Sequence, residues 1–210
     1  MIIFLAFIIA ITIHEAAHAF MSDRLGDPTA KIQGRLTLNP IAHIDLYGTI
    51  VIPLMLAFIG SPFVFGWAKP VMFDPYNLKN PRKDSAVISL AGPVSNILLA
   101  VLISVILHVF NPLILGASIV HFLIQVMSIN VVLAIFNLIP IHPLDGGKIF
   151  VGLLPEKDAH EADLFLQRYG TLILIMLIFP ILGGASPISL FLNPTVTFVL
   201  KLLLVGLPFT

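Results

Sequence analysis

The chain has 210 residues, of which 58% are hydrophobic and only 10% are charged, and its mean hydropathy is +1.04. Soluble domains usually carry about 25% charged residues, so this composition excludes a soluble globular protein and indicates an integral membrane protein. The net charge is zero and cysteine is absent, so the sequence gives no indication of a nucleic-acid partner and excludes disulfides, thiol catalysis and thiolate metal sites.

The first predicted element is an apolar segment over residues 2–20, nearly long enough to span a bilayer core of about 30 Å. No basic region precedes it, so we interpret it as a retained helix and not as a signal peptide. His14, Glu15 and His18 lie near its end in the order H-E-x-x-H. On a helix, residues four apart face the same way, so both imidazoles can share one metal ion. Glu15 then lies beside that metal, as the general base of a zinc peptidase does.

The connection to the next long segment predicts two short strands and a hairpin. Residues 31–38 alternate polar and apolar side chains, and residues 63–73 are rich in side chains that favour extended chain. Residues 46–59 are apolar, but as a helix they would rise only about 21 Å, which is short for a membrane crossing. We therefore predict that residues 46–73 form a re-entrant hairpin, which returns to the membrane face from which it started.

Four apolar segments follow, at residues 86–110, 113–138, 169–182 and 188–207. The polar stretch at residues 155–168 predicts a short surface helix. The fold class is therefore an all-α polytopic membrane protein, a bundle of about five to six transmembrane segments with a re-entrant hairpin and short membrane-associated β strands.

The chain is expected to be a single membrane domain over residues 1–210. Its core would occupy residues 1–150, and the C-terminal segments would occupy residues 151–210. On the sequence alone, residues 169–210 are compatible with two spans or with one span and an interfacial helix.

A catalytic zinc site usually has three protein ligands and an open position, so the two histidines need a partner. Asp45 and Asp145 are the carboxylates that lie close to predicted membrane segments. Asp145 is the better candidate, because it follows an apolar segment in a stretch that is broken by Pro140, Pro143 and two glycines. Irregular backbone at membrane depth is tolerated only where it lines a cavity or a site.

These motifs resemble those of the site-2 protease family of intramembrane zinc metalloproteases. The matching stretches are His14-Glu15-x-x-His18, Gly66-Trp67-Ala68-Lys69-Pro70, Ala91-Gly92-Pro93-x-x-Asn96 and Asn137-x-x-Pro140-x-x-Pro143-x-Asp145-Gly146. The resemblance covers most of the chain from Ile11 to Gly147, in a short form without a PDZ-type or C-terminal sensing domain. It implies that His14, His18 and Asp145 bind one zinc ion per chain and that Glu15 is the catalytic base.

The resemblance also implies a function, the hydrolysis of a peptide bond within or next to a transmembrane segment of a membrane protein substrate, as in regulated intramembrane proteolysis. The expected partners are that substrate and the lipid bilayer, and no nucleic acid is expected. The sequence leaves open whether the chain forms a homo-oligomer. Asn137 and Asn96 are candidates for stabilising the oxyanion or positioning substrate, with plain interhelical hydrogen bonding as the alternative. His43 is a candidate for supporting the site, with a cap or a loop hydrogen bond as the alternative.

A shared zinc ion requires Asp145 to lie within about 5 Å of both imidazoles, and therefore near the same membrane face. Residues 86–138 cross twice, so residues 46–73 must make no net crossing. Every lysine and arginine except Lys201 then lies in connections on one side of the membrane. The positive-inside rule places that side, and the site, near the cytoplasm. We expect the cell or cytoplasmic membrane of a prokaryote.

Two other functions stay open on the sequence. One is a transporter or channel in which the histidines, Glu15 and Asp145 form a divalent-metal transit site. That function would favour further acidic residues in the later segments, and residues 86–138 contain none. The other is an inactive family member that serves as a binding scaffold, which would usually lack a ligand or the base, whereas all four groups are present here.

Overall fold

A computed structural model of the chain describes residues 2–59, 66–110, 112–179 and 186–207. Within these ranges the structure is helical and contains no strand. Its α-helices are α1 (Ile2–Leu25), α2 (Thr29–Ile32), α3 (Ile52–Phe58), α4 (Pro81–Val109), α5 (Pro112–Leu115), α6 (Ala117–Asn137), α7 (Asp145–Leu153), α8 (Glu156–Ile178) and α9 (Pro187–Leu204). Between α1 and α4 lie 3-10 helices at Pro40–Ala42 and Pro75–Asn77 and a π-helical turn at Leu46–Val51.

Four of the described helices, α1, α4, α6 and α9, are long and apolar enough to cross a membrane. The prediction of an all-α membrane bundle is therefore confirmed, although the described residues supply four candidate spans and not five to six. The number of candidate spans is lower because the predicted apolar segment at residues 169–182 is not a separate span. The predicted surface helix at 155–168 and most of the predicted apolar segment at 169–182 form one helix, α8, and residues 180–182 lie outside the described residues.

The core of the bundle is the contact of α1 with α4 and α6. Small side chains lie at this contact, and Ala6, Ala10, Ala100 and Ala134 are fully buried. Small residues let helix backbones approach closely, which is how membrane helices gain van der Waals contact where lipid offers no hydrophobic driving force. Larger buried side chains of α4 and α6, such as Leu107, fill the space beyond them.

Helix α1 runs antiparallel to α4. Their contacts pair His14 with Asn96 and His18 with Ile88, so residue numbers rise along one helix as they fall along the other. The end of α1 and the start of α4 therefore lie at the same end of the bundle, which we call the site end.

Helices α8 and α9 pack against different parts of the bundle. In α8, Leu174 packs with Leu144, which follows α6, and with Ile188, which starts α9. At the far end of α9, the carbonyl of Leu203 accepts a 2.5 Å hydrogen bond from Ser104 Oγ near the end of α4. Helix α9 thus extends from the site end to the opposite end, whereas the apolar half of α8 packs against the turn that follows α6.

The strand predicted at residues 31–38 is wrong. Thr29–Ile32 form a turn of helix, Gly34 has a φ of +70°, and Arg35 folds back so that its guanidinium donates to the carbonyl of Ala42. The alternation of polar and apolar residues does not correspond to two faces, because residues 31–34 are all exposed and Arg35 is buried. Leu36 packs against the buried cluster that contains Val71, but no ladder of backbone hydrogen bonds joins residues 31–38 to any described segment. An extended segment without a ladder leaves its backbone groups unpaired.

The strand predicted at residues 63–73 is also absent from residues 66–73, and residues 63–65 lie outside the described residues. The segment Gly66–Asp74 nonetheless contacts the turn that precedes α3. The N–H of Trp67 donates to Gly48 O at 3.1 Å, and the N–H of Lys69 donates to His43 O at 2.9 Å. Both described ends of the predicted hairpin therefore lie side by side, although these single bonds do not form a ladder.

Gly48 makes this close approach possible. A Cβ atom at Gly48 would lie 2.3 Å from the indole ring of Trp67. Any side chain at this position would therefore push the segment Gly66–Asp74 away from the turn that precedes α3.

Candidate active site

The structure brings His14, His18 and Asp145 together. The Nε2 atoms of His14 and His18 lie 3.1 and 3.3 Å from Asp145 Oδ2. One ligand atom from each residue lies within 4.8 Å of the other two, and no other group of three such side chains occurs in the part of the chain that the structure describes. Asp145, the first residue of α7, therefore meets His14 of α1 across 131 residues of sequence.

This arrangement fits a tetrahedral metal site. Zinc–ligand bonds of about 2.0–2.2 Å at tetrahedral angles place neighbouring ligand atoms about 3.3 Å apart. The two nitrogen–oxygen distances of 3.1 and 3.3 Å match that edge length. The imidazole rings are nearly perpendicular, at 88°, so they approach the shared point from different directions.

Hydrogen bonds on the far side of each ring orient the two histidines. His14 Nδ1 lies 2.6 Å from Asn96 Oδ1, and His18 Nδ1 lies 2.8 Å from the carbonyl oxygen of Ile88. Both partners are acceptors, so each Nδ1 carries the hydrogen and each Nε2 of the neutral ring keeps a lone pair. Metal-binding histidines usually have such a partner, and these two come from α4.

Gly92 forms the wall of this space on α4. A Cβ atom at Gly92 would lie 2.5 Å from His18 Nε2 and 2.6 Å from His14 Cε1. Only glycine leaves room beside both imidazoles, on the side where their lone pairs point. The close packing that places α4 against the histidines therefore depends on this residue.

Glycines also let α7 present Asp145. A Cβ at Gly146 would lie 2.2 Å from Ile139 O, and one at Gly147 would lie 2.7 Å from His142 Nδ1. His142 in turn contacts Asp163 of α8, with Nε2 and Oδ1 3.2 Å apart. The start of α7 is thus packed directly against the turn after α6, and α8 braces that turn.

Glu15 is half-buried beside the two histidines, and its carboxylate contacts a different segment of the chain. Its Oε2 accepts a 2.9 Å hydrogen bond from the N–H of Val71, in the segment Gly66–Asp74. That segment also reaches α7, since the ammonium of Lys148 lies 4.5 Å from the centre of the Phe73 ring. The segment therefore bridges Glu15 on α1 and the helix that begins with Asp145.

Asp27 anchors the same segment to the end of α1. Its carboxylate is fully buried and accepts hydrogen bonds from the Asp74 N–H and Asn77 Nδ2, each at 2.8 Å, and from Ser22 and Thr29. Burial raises the pKa of Asp27, but hydrogen bonds from Thr29, Asn77 and Asp74 outweigh it and hold the pKa at about 2. The ionised carboxylate is therefore a structural tie between α1 and residues 74–77.

The remaining predicted residues lie outside the three-residue cluster. Asn96 is fully buried, and its Nδ2 donates to Ala10 O and to Asn130 Oδ1, which leaves no donor for an oxyanion. Asn137 Nδ2 donates to Leu133 O, one turn earlier in α6. His43 Nε2 bonds to Thr37 O, and Asp45 Oδ1 accepts from the Gly48 N–H.

Sequence reasoning missed three partners of the site, the carbonyl of Ile88, the N–H of Val71 and the side chain of Asn130. The first two are backbone groups, which every residue carries, so no residue type distinguishes them. Asn130 could have been recognised in the sequence, because it is an amide in the middle of an apolar segment, where polar groups usually have a partner.

Comparison with known proteins points to one family. The model of peptidase family M50 matches residues 107–181, which include Asp145 but not the two histidines. The candidate zinc metalloprotease YwhC of Bacillus subtilis is 37% identical over 183 residues, which cover 84% of this chain and 80% of YwhC. No solved structure matches the chain significantly.

More distant relatives carry similar names. Rip2 of Mycolicibacterium smegmatis, also a candidate zinc metalloprotease, is 29% identical over 81% of this chain, which spans 64% of Rip2. The zinc metalloprotease MJ0392 of Methanocaldococcus jannaschii is 24% identical over 87% of this chain, which spans 43% of MJ0392.

Proposed function

Because the chain belongs to peptidase family M50, the site-2 protease family, we propose that His14, His18 and Asp145 hold its zinc ion and that Glu15 is its general base. The family and the named relatives make the chain an intramembrane zinc metalloprotease that acts on membrane proteins in the bilayer. The observation that carries the site assignment is the convergence of two Nε2 atoms on Asp145 Oδ2, at 3.1 and 3.3 Å.

Zinc, when bound, supplies a Lewis acid that polarises the scissile carbonyl and lowers the pKa of a water molecule. Glu15 takes a proton from the attacking water and later delivers it to the leaving amide nitrogen. The Val71 N–H holds Oε2 of Glu15, so we assign proton transfer to Oε1. Asn137 stays a candidate for positioning the substrate, since one hydrogen of its amide is used on Leu133 and it precedes the turn to Asp145.

The substrate is a transmembrane segment, whose carbonyls are hidden in its own helical hydrogen bonds until it unwinds. The segment Gly66–Asp74 offers an edge against which an unwound peptide can pair. The N–H groups of residues 67, 69 and 71 all bond to the protein itself. In an extended chain, successive N–H groups point to opposite sides, so we expect the N–H groups of Ala68 and Met72 to be available to the substrate.

The site end of the bundle faces the cytoplasm in this proposal. Support comes from the antiparallel pairing of α1 with α4, because the chain leaves one helix and enters the other at the same end. The connection between them then makes no net crossing, as a re-entrant hairpin at residues 46–73 requires. We expect all lysines and arginines except Lys201 at the same end, in agreement with the positive-inside rule.

The substitution Glu15→Gln tests the function directly. The amide cannot accept a proton but has the same shape, so we expect full zinc content and at least about 100-fold slower cleavage of a single-span membrane protein. Zinc is measured by elemental analysis of the purified protein, and Glu161→Gln, at an exposed position of α8, is the matched control. Cleavage at the wild-type rate by the Glu15→Gln variant would overturn the assignment.

A further inference from the structure

We propose that Asn130 of α6 is a positioning residue, which fixes the hydrogen position on the His14 imidazole through Asn96. The inference rests on the proposed role of His14 as a zinc ligand. Asn130 and Asn96 are both completely buried, and both lie in helices that are long and apolar enough to cross a membrane. A polar side chain in such a place is expensive unless it is fully hydrogen-bonded, so its partners are informative.

The two amides form a continuous chain of hydrogen bonds that ends at His14. Asn130 Nδ2 donates to Val126 O at 2.8 Å, and Asn130 Oδ1 accepts from Asn96 Nδ2 at 2.7 Å. Asn96 Nδ2 also donates to Ala10 O at 3.1 Å. Asn96 Oδ1 lies 2.6 Å from His14 Nδ1.

The direction of this chain follows from its ends. A backbone carbonyl only accepts hydrogen bonds, so the group that Asn130 turns toward Val126 must be its NH₂. The oxygen of Asn130 therefore faces Asn96, and Asn96 must donate to it through its own NH₂. The carbonyl of Ala10 requires the same orientation of Asn96. The oxygen of Asn96 is then left for His14.

That orientation determines the state of the ring. With an acceptor at 2.6 Å, His14 Nδ1 must carry the hydrogen. A neutral imidazole has one N–H, so Nε2 keeps its lone pair. This nitrogen is the one that lies 3.1 Å from Asp145 Oδ2, on the side of the proposed zinc ion. The buried amides thus select the tautomer that can bind a metal there.

The Nδ1 atoms of His14 and His18 have different kinds of hydrogen-bond acceptor. His18 uses the carbonyl of Ile88, which is fixed in helix α4 and can only accept. His14 uses an amide, which can rotate by 180° and present a donor instead. Asn130 and Ala10 both oppose that rotation, because each would lose its hydrogen bond to the Asn96 NH₂. We therefore assign Asn130 to the orientation of Asn96.

The test is the zinc affinity of the full-length purified protein, measured by competition with a chelator. Losing a partner behind a metal ligand typically weakens binding 10–100-fold. We expect about tenfold for Asn130→Leu, where Ala10 still holds Asn96, and about 100-fold for Asn96→Leu. Asn130→Thr keeps a hydroxyl that can donate to Val126 and accept from Asn96, so its affinity should lie closer to the wild-type value.

Ser104→Ala is the matched control, because it removes another buried hydrogen bond of α4, to Leu203 O in α9. Ser104 also contacts His108, but neither His14 nor His18. Its zinc affinity should equal that of the wild type. A loss of affinity through general destabilisation would affect this variant as well, and equal losses in Ser104→Ala and Asn130→Leu would overturn the proposal.

A second readout follows the imidazole hydrogens themselves. In the cobalt-substituted protein, each Nδ1–H gives a paramagnetically shifted proton signal that exchanges with solvent. We expect faster exchange of the His14 signal in Asn130→Leu, while the His18 signal stays unchanged as an internal reference.

The outcomes separate the two proposals. If the wild-type chain binds zinc and Asn130→Leu keeps both its affinity and its exchange rates, only the role of Asn130 is overturned. If the wild-type chain binds no zinc, the proposed function fails and the role of Asn130 fails with it.

Discussion

Gly92 is the glycine that lies directly against both imidazoles of the site. A Cβ there would lie 2.5 Å from His18 Nε2, which is far inside van der Waals contact. We expect Gly92→Ala to weaken zinc binding by a factor of about 10–100, the equivalent of the 1–3 kcal/mol that overpacking usually costs. Zinc content after dialysis against a weak chelator measures this.

Gly152→Ala is the control for that experiment. Its Cβ would lie 2.3 Å from Ala86 Cβ, so it overcrowds the contact between α7 and α4 away from the histidines. We expect lower stability but unchanged zinc content. Full zinc retention by Gly92→Ala would mean that the metal does not bind beside this glycine.

The proposed metal ligands and base of α1 could be predicted from the sequence, because the spacing H-E-x-x-H puts both histidines on one face of a helix. Asp145 could be predicted from its proline- and glycine-rich surroundings. The groups that hydrogen-bond to the histidines and to Glu15 could not be predicted. Val71 and Ile88 contribute backbone atoms, and the role of Asn96 depends on which side of its amide faces His14.

Among the elements, the segment Gly66–Asp74 is tied at its last residue to the carboxylate of Asp27, just after α1. Asp27 has a pKa of about 2 in the folded protein and about 3.8 when unfolded. Its folded-state pKa is lowered, so the stabilisation of about 2 kcal/mol is complete above pH 4 and is lost as the pH falls toward 2.

We expect Asp27→Asn to lower the free energy of unfolding in detergent micelles by about 2 kcal/mol at pH 7. The difference from the wild type should stay constant between pH 7 and pH 5 and shrink between pH 4 and pH 2. Asp23→Asn, which removes a surface ion pair with Lys31, should change stability by less than about 1 kcal/mol. A difference that does not depend on pH would contradict the role of the ionised carboxylate.

The long helices were predictable because each contains an apolar run that comes close to or exceeds the thickness of the membrane core. The elements that were missed are those whose form depends on a partner. Residues 31–38 have the alternation of a strand, but no described segment pairs with them. In α8, a polar and an apolar stretch form one helix, and Leu174 of the apolar stretch packs against Leu144, a contact that the local pattern does not reveal.

For the molecule as a whole, the absence of cysteine gives a direct route to the topology. Lys79→Cys introduces a thiol next to the start of α4, and Ile114→Cys introduces one in α5, between α4 and α6, where the native side chain is 84% exposed. We expect a membrane-impermeant thiol reagent to label Ile114→Cys in intact cells, and Lys79→Cys only after permeabilisation. Labelling of both variants in intact cells would contradict a cytoplasmic site end.

In the proposed site, one zinc ion joins α1 to α7 through His14, His18 and Asp145. X-ray absorption at the zinc edge of the purified protein measures this coordination, because the spectrum counts imidazole ligands. We predict one zinc ion per chain with two imidazole nitrogens and oxygen ligands at about 2.0–2.2 Å, and no sulfur. A spectrum with fewer than two imidazoles, or a purified chain that retains no zinc, would contradict the claim.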